Sequence, residues 1–327
     1  MSKKYLITGG TGFIGSALAR RLVEKGESVR VLDNDFRGQK ARLADIATRC
    51  EFVEGDIRSL DVVRTACRGV QSVFHLAFIN GTENFYTQPD LVLDVGVKGM
   101  VNIMDGCKEE GIKELFLASS SEVYQTPRAV PTDESAPYFI PDPLNPRYSY
   151  AGGKMISELM ALHYGRKYFE RVVIFRPHNV YGPAMGKEHV IPQFILKMLE
   201  LIPQSQKGSV IKFPIQGSGE ETRAFVFIED FIDAVMLLKE KGEHLNIYHI
   251  GTEEEISMKK VVYEVGRFFK QELVIEPGPL ACGGTPRRCP DISKMKTLGY
   301  QPRYSFLQGL TITAEWYIEN AKQYALK

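Results

Sequence analysis

Tyr5-Leu-Ile-Thr-Gly-Gly-Thr-Gly-Phe-Ile-Gly15 is the stretch on which the fold turns. A short apolar run leads into Gly9, Gly12 and Gly15, and from Phe13 to Lys25 the apolar spacing takes on the period of a helix. Strand, glycine turn and helix in that order make a cradle for a pyrophosphate. Glycine lets the backbone turn sharply and come close, while the first helical N–H groups, at Phe13, Ile14 and Gly15, face the anion. Taken alone, such a fingerprint is also just a tight strand–helix turn, and its neighbours decide. Asp33 closes the next strand, followed by Asn34, at the distance where a carboxylate meets an adenosine ribose. A carboxylate there accepts from both ribose hydroxyls and repels a 2′-phosphate. That favours NAD over NADP, although Arg37 and Lys40 nearby weigh the other way.

Outward from this stretch, short apolar runs alternate with longer amphipathic segments from residue 4 to about 176. Residues 5–8, 28–32, 51–53, 72–76, 114–118 and 172–175 read as buried strands of a parallel sheet. The main helices are expected over 13–25, 91–110 and 149–168. This alternation is that of a doubly wound α/β fold. Asp56 and Ile57, and likewise Leu76 and Ala77 after His75, fall at strand carboxyl ends, where open sheets bind ligands. Asp56 becomes an expected adenine contact. Past that region Pro and Gly punctuate the chain at Tyr181-Gly-Pro183, Gly217-Ser-Gly219, Pro277-Gly-Pro279 and Cys282-Gly-Gly-Thr-Pro286. The expected organisation is a dinucleotide-binding domain over 1–178 and a smaller mixed α/β lobe over 179–327, with some elements of the lobe returning to the first domain.

The chain has 327 residues and a net charge of +1, enough for a large core and with no basic surface for nucleic acid or membrane. No apolar run reaches the length of a membrane span, and Met1-Ser2-Lys3-Lys4 leads into a strand pattern, not a secretory signal. Five cysteines, an odd and scattered set, have neither disulfide nor metal-ligand spacing. Reduced thiols, a cytoplasmic location and no metal are expected.

Tyr150-Ala-Gly-Gly-Lys154 supplies the chemistry. A Tyr and a Lys one helical turn apart share a face. A buried ammonium beside a phenol favours the phenolate, which makes Tyr150 an acid/base for a sugar hydroxyl. Ser120, just past a strand end, can hold the same oxygen. An isolated Tyr-x-x-x-Lys is common on amphipathic helices, but Gly152 and Gly153 are poor helix formers and imply a close approach to the backbone.

With these residues in place the chain resembles the extended short-chain dehydrogenase/reductases, in the branch that modifies sugars carried on nucleoside diphosphates. The likeness runs through Thr8–Gly15, Gly55-Asp-Ile57, His75-Leu-Ala77, Ser120–Tyr124 and Tyr150–Lys154. It continues through Arg176-Pro-His-Asn-Val-Tyr-Gly-Pro183, Gly217–Phe225 and Arg287–Lys294. It implies bound NAD, a catalytic Ser120–Tyr150–Lys154 triad, and a homodimer built on the helices at 91–110 and 149–168. It also implies that Asn179, Arg223 and Arg288 face the nucleoside diphosphate, a role that suits guanidinium groups. Two departures stand out. Gly96-Val-Lys-Gly-Met100 replaces an Asn-x-x-Gly-Thr pattern, and Gln125 follows Tyr124 where a glycine is usual.

The shared first step is oxidation at the sugar C4, and the resulting ketone acidifies the neighbouring C–H bonds. Glu122, two positions after Ser120, looks like the C5 base of the 4,6-dehydratases and like its counterpart in UDP-glucuronate decarboxylases. A turn cap or a lysine partner is the plain alternative. Ser121 is closer to the GDP-mannose dehydratase pattern. Asn145-Pro-Arg147, Thr222–Phe225 and Arg288 look similar to the decarboxylases. Lys187, in Gly186-Lys-Glu-His189, lies in a loop comparable to one that carries a catalytic lysine in GDP-mannose 3,5-epimerases, and is equally an exposed polar loop. The preferred reading is an epimerase or dehydratase acting through a 4-keto intermediate, with catalytic Ser120, Glu122, Tyr150 and Lys154. Ser121, Asn179, Lys187, Arg223 and Arg288 are on the substrate. A decarboxylase is the runner-up, with a simple 4-dehydrogenase and a non-catalytic NAD-binding regulator behind it.

Overall fold

The computed structural model describes residues 3–205, 209–279 and 284–321; Cys282 and the turn at its position lie outside them. Strands β1 Lys4–Thr8, β2 Ser28–Asp33, β3 Cys50–Glu54, β4 Ser72–His75, β5 Glu114–Ala118 and β6 Arg171–Pro177 are joined by Asn246–Ile250 in one seven-stranded sheet. Every pairing in it is parallel. The order is Asn246–Ile250, β6, β5, β4, β1, β2, β3. It reverses at β1, which has β2 on one side and β4 on the other. Their carboxyl ends frame the switch point where doubly wound sheets take ligands. β1, β4 and β5 are buried almost throughout, which is why they read as continuous apolar runs, whereas edge strand β3 is largely solvated.

The α/β expectation holds, and each expected strand lies within two residues of the observed one. The expected helix over 91–110 differs in kind. It begins at Pro89–Leu93, widens into a π-helical turn at Asp94–Lys98 and resumes as Gly99–Glu109. Gly96 sits inside that wide turn, opposite an aromatic ring. Ser157 Oγ, on the long helix Tyr148–Tyr168, lies 2.8 Å from the Gly153 carbonyl and 3.4 Å from that of Gly96.

Two compact units emerge. The first comprises Met1–Gln125, Glu134–Pro177 and Ile232–Ile250; the second comprises Thr126–Asp133, His178–Phe231 and Gly251–Lys327. In the first, Leu6, Val73 and Leu115 of the sheet and Val63, Ile103 and Met104 of the helices share one apolar core. In the second, Thr222–Ala224 is the middle strand of three, antiparallel to Glu255–Ser257 and parallel to Arg287–Arg288. Among the described residues no helix is long and apolar enough to cross a membrane.

Candidate active site

The glycine loop is closed to side chains. Gly9 has φ +72°, and a Cβ there would lie 2.8 Å from the Ala77 amide nitrogen; one on Gly15 would lie 2.1 Å from the Gly9 carbonyl oxygen. The helix Phe13–Glu24 starts from Gly12 with no side-chain cap, so its first N–H groups remain available. Thr11 Oγ1 is buried inside the loop without a hydrogen-bond partner. Uncapped donors beside an orphaned hydroxyl fit a pyrophosphate. Asp33 accepts from the Thr11 N–H at 3.0 Å on one carboxylate oxygen and from the Asp35 N–H at 2.9 Å on the other. Each oxygen keeps a lone pair for a ribose hydroxyl. These residues fit a dinucleotide.

Other expected cofactor contacts are already engaged. Arg58 chelates Asp56 and holds its carboxyl below the usual range, while Asn34 donates to the same group at 3.0 Å. Arg58 also reaches Asp94 at 3.0 Å. Ile57 is buried against Gly99, and its carbonyl accepts from Asn102 Nδ2. At the end of β4, Thr8 Oγ1 accepts from the Ala77 N–H and is hydrogen-bonded to His75 Nδ1 at 2.7 Å. Burial, and then the Lys154 charge, push His75 down to about 3, and the ring stays neutral. Leu76 is half-buried beside them.

Tyr150 and Lys154 are 6% and 4% exposed. The Tyr150 ring stacks on Phe85 at 4.9 Å and meets Phe78 edge-on at 5.1 Å. Lys154 Nζ donates to the Ala118 carbonyl at 2.7 Å, which ties the helix to the end of β5 two residues before Ser120. Burial pushes the amine down to about 7, against the upward pull of Glu158. One turn further along the helix, Glu158 is fully buried and receives both Nε and Nη2 of Arg176, at 2.9 and 2.6 Å, together with the hydroxyls of Ser119 and Tyr138. Tyr124 joins Arg176 and lies 2.6 Å from His249 Nε2. This network fixes the segment that carries Ser120, Ser121 and Glu122 against the helix that carries Tyr150 and Lys154. Ser120 caps the turn Ser121–Tyr124, its Oγ accepting from the Glu122 N–H at 3.1 Å, and Ser121 is buried. The Glu122 carboxylate lies 3.8 Å from Arg147 Nη2. Arg147 is nearly buried, and its Nε has no hydrogen bond.

In the second unit Arg223 and Arg288 are register partners on adjacent strands, and Asn179 Nδ2 donates to the carbonyl of Ala224 beside them. Arg223 and Arg288 both bond Thr285, at its carbonyl and its hydroxyl respectively. Arg287 is exposed and paired with Glu255. Lys187 lies on an exposed turn. The residues that sequence reasoning missed are Phe78 and Phe85, which pack on Tyr150, and Arg58, which holds Asp56 and Asp94. A signal for the first existed in Gly96 and Gly153, both of which face its ring.

The model of the NAD dependent epimerase/dehydratase family matches residues 5–251. The chain belongs to that family. It is an NAD-dependent enzyme, and the cradle around Gly9–Gly15 is where its residues suit that cofactor. Among curated proteins it is 31% identical over 323 residues to UDP-glucuronic acid decarboxylase 1 of Xenopus tropicalis, covering 96% of this chain and 72% of that one. It is 29% identical over 331 residues to UDP-N-acetyl-alpha-D-glucosaminuronate decarboxylase of Bacillus cytotoxicus, covering 98% and 99%. Among solved structures, a double mutant of the dTDP-glucose 4,6-dehydratase DesIV of Streptomyces venezuelae, crystallised with NAD, superposes with a TM-score of 0.86 at 29% identity over 98% of both chains.

Proposed function

We propose that this family member oxidises C4 of a nucleoside-diphosphate sugar to a ketone and then works at C5, as an epimerase or dehydratase. The observation that carries the reading is the buried Tyr150–Lys154 pair, tied to the end of β5 beside Ser120. Bound NAD supplies the acceptor for the C4 hydride. Tyr150 takes the C4 hydroxyl proton, Lys154 favours the phenolate by its charge, and Ser120 holds the same oxygen. The C4 ketone acidifies the C5–H bond, and Glu122 removes that proton. Ser121 is assigned to the sugar; Asn179, Arg223 and Arg288 are assigned to the diphosphate, where paired guanidinium groups are suited to the charge. Lys187 enters as a second base where the outcome is epimerisation. A homodimer through the Tyr148–Tyr168 helix and its neighbour, and a cytoplasmic location, belong to the same reading.

Arg147 favours a second reading, decarboxylation of a uronate. A nearly buried guanidinium with an unbonded Nε and a carboxylate only at 3.8 Å is short of an anionic partner. A sugar carboxylate would supply one. The C4 ketone is β to that carboxylate, so the C5–C6 bond breaks with release of carbon dioxide, the ketone taking up the electron pair and C5 gaining a proton.

The test incubates NAD-loaded protein with UDP-glucose, UDP-glucuronate, dTDP-glucose and GDP-mannose in deuterated water. Deuterium at C5 with loss of water marks a dehydratase, and exchange at C3 or C5 with no mass loss an epimerase. Loss of carbon dioxide from UDP-glucuronate marks a decarboxylase. No turnover of any nucleotide sugar, with NAD bound, would return the protein to the regulator reading.

A further inference from the structure

The ring of Phe78, three residues past the end of β4, fills a slot made by absent side chains. A Cβ on Gly96 would lie 2.3 Å from its Cζ, and one on Gly153 would lie 2.9 Å from the same atom. The Lys154 ammonium sits 4.1 Å from the ring centroid. Tyr150 meets the ring edge-on, with planes at 83°. One side chain therefore touches both members of the proton-transfer pair. Building on the acid/base reading of Tyr150 and Lys154, we infer that Phe78 is a positioning residue: its face seats the Lys154 ammonium, its perpendicular contact fixes the Tyr150 ring, and glycine at 96 and 153 admits it.

An ammonium has three donors, and among the described residues that of Lys154 makes one hydrogen bond, to the Ala118 carbonyl. The groups that act on its charge are Glu158 on its own helix and His75 on β4, with the Tyr150 ring 5.8 Å away. Glu158 is engaged by Arg176, and His75 is neutral. The aromatic face is thus the closest further support for the charge, and in a site shielded from water a ring quadrupole holds a cation most strongly. Phe85 also stacks on Tyr150, with ring centroids 4.9 Å apart.

Two variants separate the ring face from mere bulk. Phe78→Leu keeps an apolar side chain without a π face, and Phe78→Tyr keeps the face. Lys154 ionisation is read by NMR of lysine-labelled protein, assigned with Lys154→Met. The pH profile of kcat is read on NAD-loaded protein with UDP-glucuronate and UDP-glucose. Phe78→Leu is expected to lower the Lys154 midpoint by about one unit and to move the high-pH limb of kcat down with it, with kcat falling roughly tenfold. Phe78→Tyr restores both. Identical titrations and rates for wild type and Phe78→Leu, with Lys154→Met inactive, overturn the role of Phe78 and leave the acid/base reading standing. Wild-type turnover by Lys154→Met removes both. Thermal unfolding supplies a second arm: Gly96→Ala destabilises the wild type but is tolerated in a Phe78→Ala background, and equal damage in both backgrounds overturns the interlock.

Discussion

Burial moves Lys154 from 10.5 down to about 7, and stability inherits that shift. The unfolded chain keeps the lysine protonated up to its ordinary value, whereas the folded protein sheds the proton above about 7, so stability rises with pH between the two. Below that window the folded state bears the whole cost of a buried ammonium. Lys154→Met should therefore stabilise cofactor-free protein at neutral pH by roughly 1–3 kcal/mol, with the gain fading toward about pH 10. Denaturant titrations across that range read it, and a gain independent of pH would contradict the burial argument. Glu122 carries a separate prediction. Glu122→Gln should abolish deuterium exchange at C5 while transient reduction of NAD by a nucleotide sugar survives, and undiminished exchange would remove Glu122 from the mechanism. The placement of Tyr150 and Lys154 on one buried helix, and of Ser120 just past β5, was legible in the sequence because it follows from local spacing and residue type. Phe78 was not legible as a site residue, because nothing local marks an aromatic that meets its partners only across the fold. Asp56 was read as an adenine contact without its Arg58 partner in view.

The long helix Tyr148–Tyr168 depends on its buried Glu158–Arg176 pair, with both side chains 1% exposed or less. Removing one partner of such a pair strands the other charge, so Glu158→Ala should cost about 3–5 kcal/mol and loosen the Ser119–Glu122 segment as well. Chemical denaturation measures the first, and amide exchange at Ser120 and Ser121 the second. The same helix leaves Ile156 and Leu159 about two-fifths exposed, and its neighbours expose Leu93 and Val101 to a similar degree. Apolar side chains placed so on adjoining helices suit a second copy of the chain. Leu159→Lys should turn a dimer into a monomer by sedimentation, and an unchanged mass would place the interface elsewhere. At this scale the sequence foretold the three helical segments over 13–25, 91–110 and 149–168 but not the π turn at Asp94–Lys98. Apolar periodicity does not distinguish one wide turn within a helix, and Gly96 alone reads only as a weak point in it.

Across the whole chain, seven parallel strands bring the glycine loop, Asp33 and the His75–Ala77 segment to the carboxyl edge of one sheet. Strand alternation announced that arrangement because β1, β4 and β5 are buried on both faces and so are uniformly apolar. Asn246–Ile250 was not foreseen as a seventh strand, since it joins the edge at β6 only after a long excursion through the second unit. NAD at about a hundred times its Kd should stabilise the protein by roughly 2.7 kcal/mol, visible as a raised Tm. Asp33→Ala should shrink that shift by weakening NAD roughly tenfold or more, through loss of the ribose acceptor and of its bond to the Thr11 N–H. The account as a whole stands on the phenol of Tyr150. Its most direct test is the turnover of UDP-glucuronate and UDP-glucose by Tyr150→Phe, with NAD binding followed in parallel. The account predicts that NAD binds as before while turnover falls roughly 10²–10⁴-fold; turnover at the wild-type rate would contradict it.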